Sequence, residues 1–306
     1  MSHRAIVGIV FVCAVCALGV ILLAFRPGRD NLAPTSVTNK IKIAATIFPV
    51  ADIVRNIGGD RVDVVTILPP GASPHTFDPS PASVREVSGS KILFKIGLGL
   101  DDWSQKIADV DGAVEIVGLS QDISIRKLDD SADPHYWMSL PNGAMMAKTV
   151  ATALARLDPA HAEEYHNNLT AYRKQIAAAD QKIKQSLADL KTRDIATFHD
   201  AWYYFAAEYG LNVVATFEPF PGKEPTPEYV ANFEKTVRQK HLTVVFSEPQ
   251  LSSAVIAQAA KDLNVKLDTL DEIGGSSPET DTYVKMVEWN SEQIYRALQT
   301  PGLQTP

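Results

Sequence analysis

The sequence predicts an α/β protein of two lobes, each a mostly parallel sheet flanked by helices, joined by a single long α-helix. Three observations carry this. Short apolar runs alternate with amphipathic stretches from Ile41 to Ser120, the signature of parallel strands linked by crossover helices. The alternation resumes at Asp194 and continues to Leu298. Between the two series, Asp158 to Thr192 has no glycine and one proline, Pro159. That proline sits where a helix tolerates it, in the first turn behind an Asp158 cap.

In the first series IKIAATIF reads as a buried strand and VADIVRNIGG as a helix with a glycine stop. VDVVTILPP is a strand ending in prolines, SPASVREVSGS a short helix, and KILFKIGLG and GAVEIVGLS are two more strands. In the second series IATF, LNVVATFE, HLTVVFSEP and VKLDTL are strands. AWYYFAAEYG, TPEYVANFEKTVRQK, SSAVIAQAAKDLN and TYVKMVEWNSEQIYRAL are the helices that follow them, with glycine- and proline-rich turns between. The joining segment carries Leu169, Tyr172, Ile176, Ala179, Ile183 and Leu187 at three- and four-residue steps, one apolar face of a helix. As a continuous helix it would run about 50 Å. The boundaries that follow are 41–157 for the first lobe, 158–192 for the joining helix and 193–306 for the second lobe.

With 306 residues the chain can bury a large core. Its 45% hydrophobic and 21% charged content is that of a globular protein. A net charge of −7 and no basic run argue against nucleic acid as a partner.

Residues 1–29 differ from the rest. Arg4 precedes an uncharged apolar run from Ala5 to Phe25, and Arg26 follows it. Such a run exceeds a cleavable signal core and is long enough to span a bilayer. It reads as a membrane anchor or uncleaved signal, with the following domain outside the cytoplasm. Residues 30–40, polar and proline-containing, read as a tether. Both cysteines, Cys13 and Cys16, lie in the apolar run, and neither fits the small-residue pattern of a lipoprotein cleavage site. The remaining domain therefore has no disulfide and no thiolate ligand.

Of seven histidines, His3 precedes the anchor, His161 and His166 fall on the long helix, and His241 opens a strand; these read as surface or structural. Three others differ. His75 lies in the proline-rich loop GASPHTFDPSP after a strand, His135 between a polar turn and a helix start, and His199 at the end of IATF. Ligands in open α/β sheets collect at the C-terminal ends of strands. Asp271 also ends a strand, and Asp268 is the competing carboxylate nearby. Imidazoles with a carboxylate suit a first-row divalent ion, zinc foremost. IGLGLDD lacks the third glycine of a dinucleotide loop, and no G-x-S-x-G or H-E-x-x-H is present.

The chain resembles the solute-binding proteins of zinc and manganese ABC transporters, in which one long rigid helix joins two lobes. The resemblance runs from about Lys40 to Leu298. It is carried by PGASPHTFDPSP, IGLGLDDW, DPHYWMSLPNGAMMAKTVATALARLDP, TFHDAWYYFAAEYGLN, FEKTVRQKHLTVVFSEPQ and VKLDTLDEIGGSSPETDTYVKMVEWN. It implies His75, His135, His199 and Asp271 as metal ligands, with Glu272 standing where many relatives have proline. It further implies a monomer that takes up a divalent ion, Zn2+ or else Mn2+ or Fe2+, and delivers it to an ABC permease without catalysis. The long His-rich loop of many zinc-specific members is missing, and His199 stands where manganese-tuned members often have glutamate. Two other classes stay open on the residues alone: a zinc hydrolase with Glu248 as base, and a surface adhesin. Ligation needs neutral imidazoles, so affinity is expected to fall below about pH 6.5.

Overall fold

The computed structural model describes residues 40–299 except 113, 130 and 251–253, within one compact unit that begins at Lys40. The anchor read at 1–29, and the tether up to its last residue, lie outside the described residues. Among those described, no helix is long and apolar enough to cross a membrane.

The first lobe runs β1 (Ile41–Ala45), α1 (Phe48–Gly58), β2 (Val62–Thr66), α2 (Pro81–Val87), β3 (Ile92–Lys95), α3 (Ser104–Asp111) and β4 (Glu115–Gly118). All pairings are parallel, in the order β2-β1-β3-β4. β1 stops three residues before the Phe48 expected from its apolar run. Pro49 occupies the first turn of α1, where its fixed φ and missing N–H favour helix over strand. Helix α3 is absent from the sequence reading: its segment, SQKIADVD, has only a short apolar stripe.

Next come α4 (Leu140–Leu157), a single turn at Pro159–His161, and α5 (Ala162–Ser186). The joining helix is therefore the 25-residue α5, about 37 Å long, rather than the expected ~50 Å of continuous helix. It is shorter at both ends: the first turn behind Asp158, Pro159–His161, is 3₁₀, and the α-helix stops at Ser186. The Asp158 carboxylate takes His161 Nδ1 at 2.7 Å and the Tyr165 hydroxyl at 2.8 Å. At the other end Arg193 donates to the carbonyls of Leu187 and Ala188, satisfying acceptors that the last helical turn leaves free. The buried face of α5, with Tyr165, Tyr172, Ile176, Ala179 and Ile183, packs on α4 and α1.

The second lobe runs β5 (Asp194–Thr197), α6 (Tyr203–Tyr209), β6 (Asn212–Thr216), α7 (Pro227–Gln239), β7 (Val244–Ser247), α8 (Ala254–Leu263), β8 (Lys266–Thr269) and α9 (Tyr283–Gln299). β5 pairs with β6 and β7 with β8, both in parallel, and β5 lies beside β7. The spatial order β6-β5-β7-β8 thus repeats that of the first lobe, second-first-third-fourth. In both lobes the connections diverge between the first and third strands, which is where such sheets bind ligands.

The lobes are held together by α9, which returns to pack on α1 and α5. Asp52 of α1 accepts from the N–H of Tyr283 at 2.9 Å, so a carboxylate from one lobe caps a helix N-terminus from the other. The Tyr283 hydroxyl donates to the carbonyls of Trp137 and Ser139 at 2.5 and 3.2 Å. Gly143 of α4 leaves room for that ring, since a Cβ there would collide with it.

Candidate metal centre

The stiff loop around His75 is held from outside as well as by its prolines. Trp103 donates its indole N–H to the carbonyl of Pro74 at 3.0 Å, and its ring meets Phe77 edge-on at 4.8 Å. Trp103 is placed in turn by the segment after β3. There buried Asp101 accepts from the Thr46 hydroxyl and from the N–H groups of Ile96 and Gly97, at 2.6–2.8 Å. From the second lobe, Gly222 crosses so close to the loop that a Cβ would lie 2.7 Å from the Thr76 methyl. Its φ of +77° also favours glycine.

His135 opens the 3₁₀ turn Tyr136–Met138 and is buried. Its Nδ1 meets Asp133 Oδ1 at 2.8 Å, its own N–H donates to the same oxygen at 3.0 Å, and Arg126 donates to Asp133 Oδ2 at 3.2 Å. His199 follows β5 and is buried too. Its Nδ1 is hydrogen-bonded to Glu248 Oε2, while Trp202 donates to Glu248 Oε1 at 2.9 Å. Both imidazoles thus have Nδ1 on a carboxylate, the arrangement that leaves Nε2 available to a metal and fixes the ring.

The structure brings His75, His135 and His199 together. One ring nitrogen of each lies within 4.8 Å of the others, and the ring centroids are 5.1–5.6 Å apart. His75 Nε2 and His135 Nε2 stand 3.0 Å apart. On the far side Glu272 Oε2 lies 3.3 Å from His199 Nε2, and Glu248, Glu272 and His199 form a second close group. Both of those facing atoms are buried, and neither makes a hydrogen bond to a described residue. Two donors about 2.0–2.1 Å from one tetrahedral ion sit roughly 3.3 Å apart. Orphaned buried atoms at that spacing fit a divalent ion better than they fit each other.

Asp271, implied by the resemblance, borders this cluster without joining either group. Its Oδ1 accepts from Gln250 Nε2 and from the N–H groups of Ile273 and Gly274, at 2.7–3.1 Å. Asn290 of α9 binds its backbone on both sides, at 2.8 and 2.6 Å. Asp268, the competing carboxylate, is turned to Lys266 and to the N–H of Thr269. Sequence reasoning missed Asp133, Arg126 and Asn290, and noted Glu272 only as a departure. D-P-H carries a signal for Asp133, because a carboxylate two residues before a histidine can turn back on its ring. Asn290 carries none. His161 belongs to the bend at Asp158, His166 and His241 are exposed, and Asn168 donates to the Ile57 carbonyl at 2.9 Å.

The electrostatics of the two lobes diverge. Burial, then the neighbouring His135 and His199, lower the His75 pKa to about 2. Burial also lowers His135, against the pull of Asp133. At His199 burial acts in the same direction, but Glu248 and Glu272 outweigh it and push the pKa up to about 10. Burial raises Glu272, opposed by His199. A cleft of ≈ 260 Å³ lined by His75, His135, His199 and the Pro219–Pro221 loop leads to the cluster. Three imidazoles ringed by buried carboxylates make a cation site. Glu248, the base that a hydrolase would need, has both oxygens engaged.

Comparison with known proteins agrees. Residues 43–297 match the family described as zinc-uptake complex component A, periplasmic (ZnuA). The metal ABC transporter substrate-binding lipoprotein FimA of Streptococcus parasanguinis is 28% identical over 304 residues, covering 94% of this chain and 98% of FimA. The manganese ABC transporter substrate-binding lipoprotein PsaA of Streptococcus pneumoniae is 29% identical over 294 residues, covering 90% and 94%. The crystal structure of ZnuA superposes with a TM-score of 0.79 at 28% identity, over 85% of this chain and all of that one. With five-sixths of its length matched, the chain belongs to the ZnuA family of zinc-uptake complex component A proteins.

Proposed function

We propose that this chain is the extracytoplasmic solute-binding component of a metal ABC transporter, capturing one divalent ion between its lobes and delivering it to a membrane permease. The observation that carries this is the convergence of His75, His135 and His199 from both lobes on one buried point. Each lobe supplies ligands at the strand ends where its topology favours binding. The ligand set is the three imidazoles with an oxygen from the Asp271–Glu272 corner. A shell closed by four protein donors leaves no position for an activated water, so the chemistry is capture without catalysis.

Zinc is the first choice of ion and manganese or iron the next, since imidazole nitrogens favour the later divalent metals. The relatives named above include both a manganese protein and a zinc-uptake protein. The rigid α5 and the α9 packing favour release by local movement of the ligand loops over wide lobe opening. The chain acts as a monomer, held at the outer membrane face by its N-terminal segment or freed from it by cleavage.

Metal analysis of the protein from its source, with competition titration of zinc against manganese, tests this. One ion per chain, lost in the His75→Ala/His135→Ala variant, is expected. Absence of bound metal, or binding undiminished in that variant, would sink the reading.

A further inference from the structure

The corner after β8 presents two adjacent carboxylates, and the fold uses them differently. Asp271 Oδ1 is spent within the corner, accepting from Gln250, Ile273 and Gly274. Such a side chain fixes a turn by satisfying its N–H groups. Glu272 is 1% exposed, and its backbone is pinned by Trp137, whose indole donates to the Glu272 carbonyl at 2.8 Å. Its side chain is aimed past its own loop, Oε2 standing 3.3 Å from His199 Nε2 without hydrogen-bonding it. A buried carboxylate oxygen with no hydrogen-bond partner is costly, and it calls for an occupant that compensates it. His199 meets it only at ion-pair range, since its Nδ1 already serves Glu248 and its Nε2 makes no hydrogen bond to a described residue.

We propose that Glu272 is a direct metal ligand in this chain, supplying the oxygen donor opposite His199, and that Asp271 braces the loop that presents it. The proposal rests on metal capture by the three imidazoles. It makes the oxygen donor a residue other than the Asp271 that the resemblance implies.

Cobalt(II) and zinc(II) titrations of the full chain and of Glu272→Ala, Asp271→Asn, Glu272→Cys and Asp271→Cys decide it. Loss of a partner behind a ligand typically costs about 10–100-fold in metal affinity. Asp271→Asn should fall in that range, and Glu272→Ala should exceed about 100-fold. With cobalt, Glu272→Cys should show a thiolate-to-metal charge-transfer band that the parent and Asp271→Cys lack, because a coordinating thiol is deprotonated. Zinc binding by Glu272→Ala within about threefold of the parent, or the band appearing in Asp271→Cys alone, would overturn the assignment. Circular dichroism and melting check each fold; if Glu272→Ala fails to fold, the position of the band decides. A parent chain that binds neither metal would remove the capture reading itself, and this assignment with it.

Discussion

His135 and His199 do the same job from opposite lobes and meet opposite surroundings. Each is buried, each has Nδ1 on a carboxylate, and each turns its other face to the centre. At His135, however, burial outweighs the pull of Asp133, which is itself paired with Arg126, and holds the imidazole neutral. Behind His199, Glu248 has the indole of Trp202 as its other partner among the described residues, and Glu272 stands in front. That imidazole gathers a proton. The first lobe is therefore prepared for metal, whereas the second must give up a proton to receive it.

Removing either imidazole tests whether both halves are needed, and carries the largest effect. His135→Ala and His199→Ala should each weaken zinc binding by more than about 100-fold, read by chelator competition at pH 7.5. Near-parent affinity in either would break the equivalence.

Next come the carboxylates behind the rings. Asp133→Asn and Glu248→Gln should each cost about 10–100-fold in the same assay. Only Glu248→Gln should also flatten the pH dependence, because only at His199 do the carboxylates outweigh burial and raise the ring. Identical pH profiles in the two variants would show that the lobes do not differ in protonation.

Much of this was legible in the sequence. The two α/β series follow from apolar runs of strand length; the order of strands in each sheet does not, because alternation leaves it open. His75 and His199 stood out at strand ends, and the resemblance picked the set that the structure brings together, His75, His135 and His199. The joining helix came out too long, because its apolar periodicity gives no sign of the 3₁₀ turn at Pro159–His161 and runs on past Ser186, where the helix ends. The acidic corner was not readable, because adjacent residues such as Asp271 and Glu272 look interchangeable until the turn commits one of them to its own N–H groups. Asp133 was missed although D-P-H sets it two residues from the ring it holds, whereas Arg126 and Asn290 act through partners 7, 74 and 19 residues away, a relation that no local pattern encodes.

The proton on His199 gives a smaller effect with a definite sign. Its pKa in the folded, metal-free chain is raised from the ordinary 6.5 to about 10. The stabilisation this lends the metal-free fold is full below 6.5 and is lost as pH rises through about 10. Ligation requires the neutral ring, so across that window metal binding expels a proton and affinity rises about tenfold per pH unit. His75 and His135 add little, being held low. The drop expected below pH ~6.5 from ordinary imidazoles thus becomes a continuous slope through neutrality. Calorimetry in buffers of different ionisation enthalpy, from pH 6 to 8, should count at least one proton released per zinc, with Glu272, which burial raises, adding a share; a count of zero would refute it.

Arg126 offers the smallest and sharpest test, because removing it should turn the first lobe into a copy of the second. Its guanidinium lies 4.3 Å over the Tyr203 ring and bridges Asp133 to Asp200, the residue after His199. Arg126→Ala leaves the ring cluster intact, since the backbone N–H of residue 126 keeps its own bond to Tyr204. It does leave Asp133 without its cation. The uncompensated carboxylate should then draw a proton onto His135. Affinity at pH 8 should drop only a few-fold, while the proton count per zinc rises by up to about one. Nitrogen chemical shifts of the His135 ring should report the imidazolium directly in the metal-free variant. If those shifts stay those of a neutral ring and the proton count does not move, then burial alone keeps His135 neutral, and the contrast between the lobes arises entirely from Glu248 and Glu272.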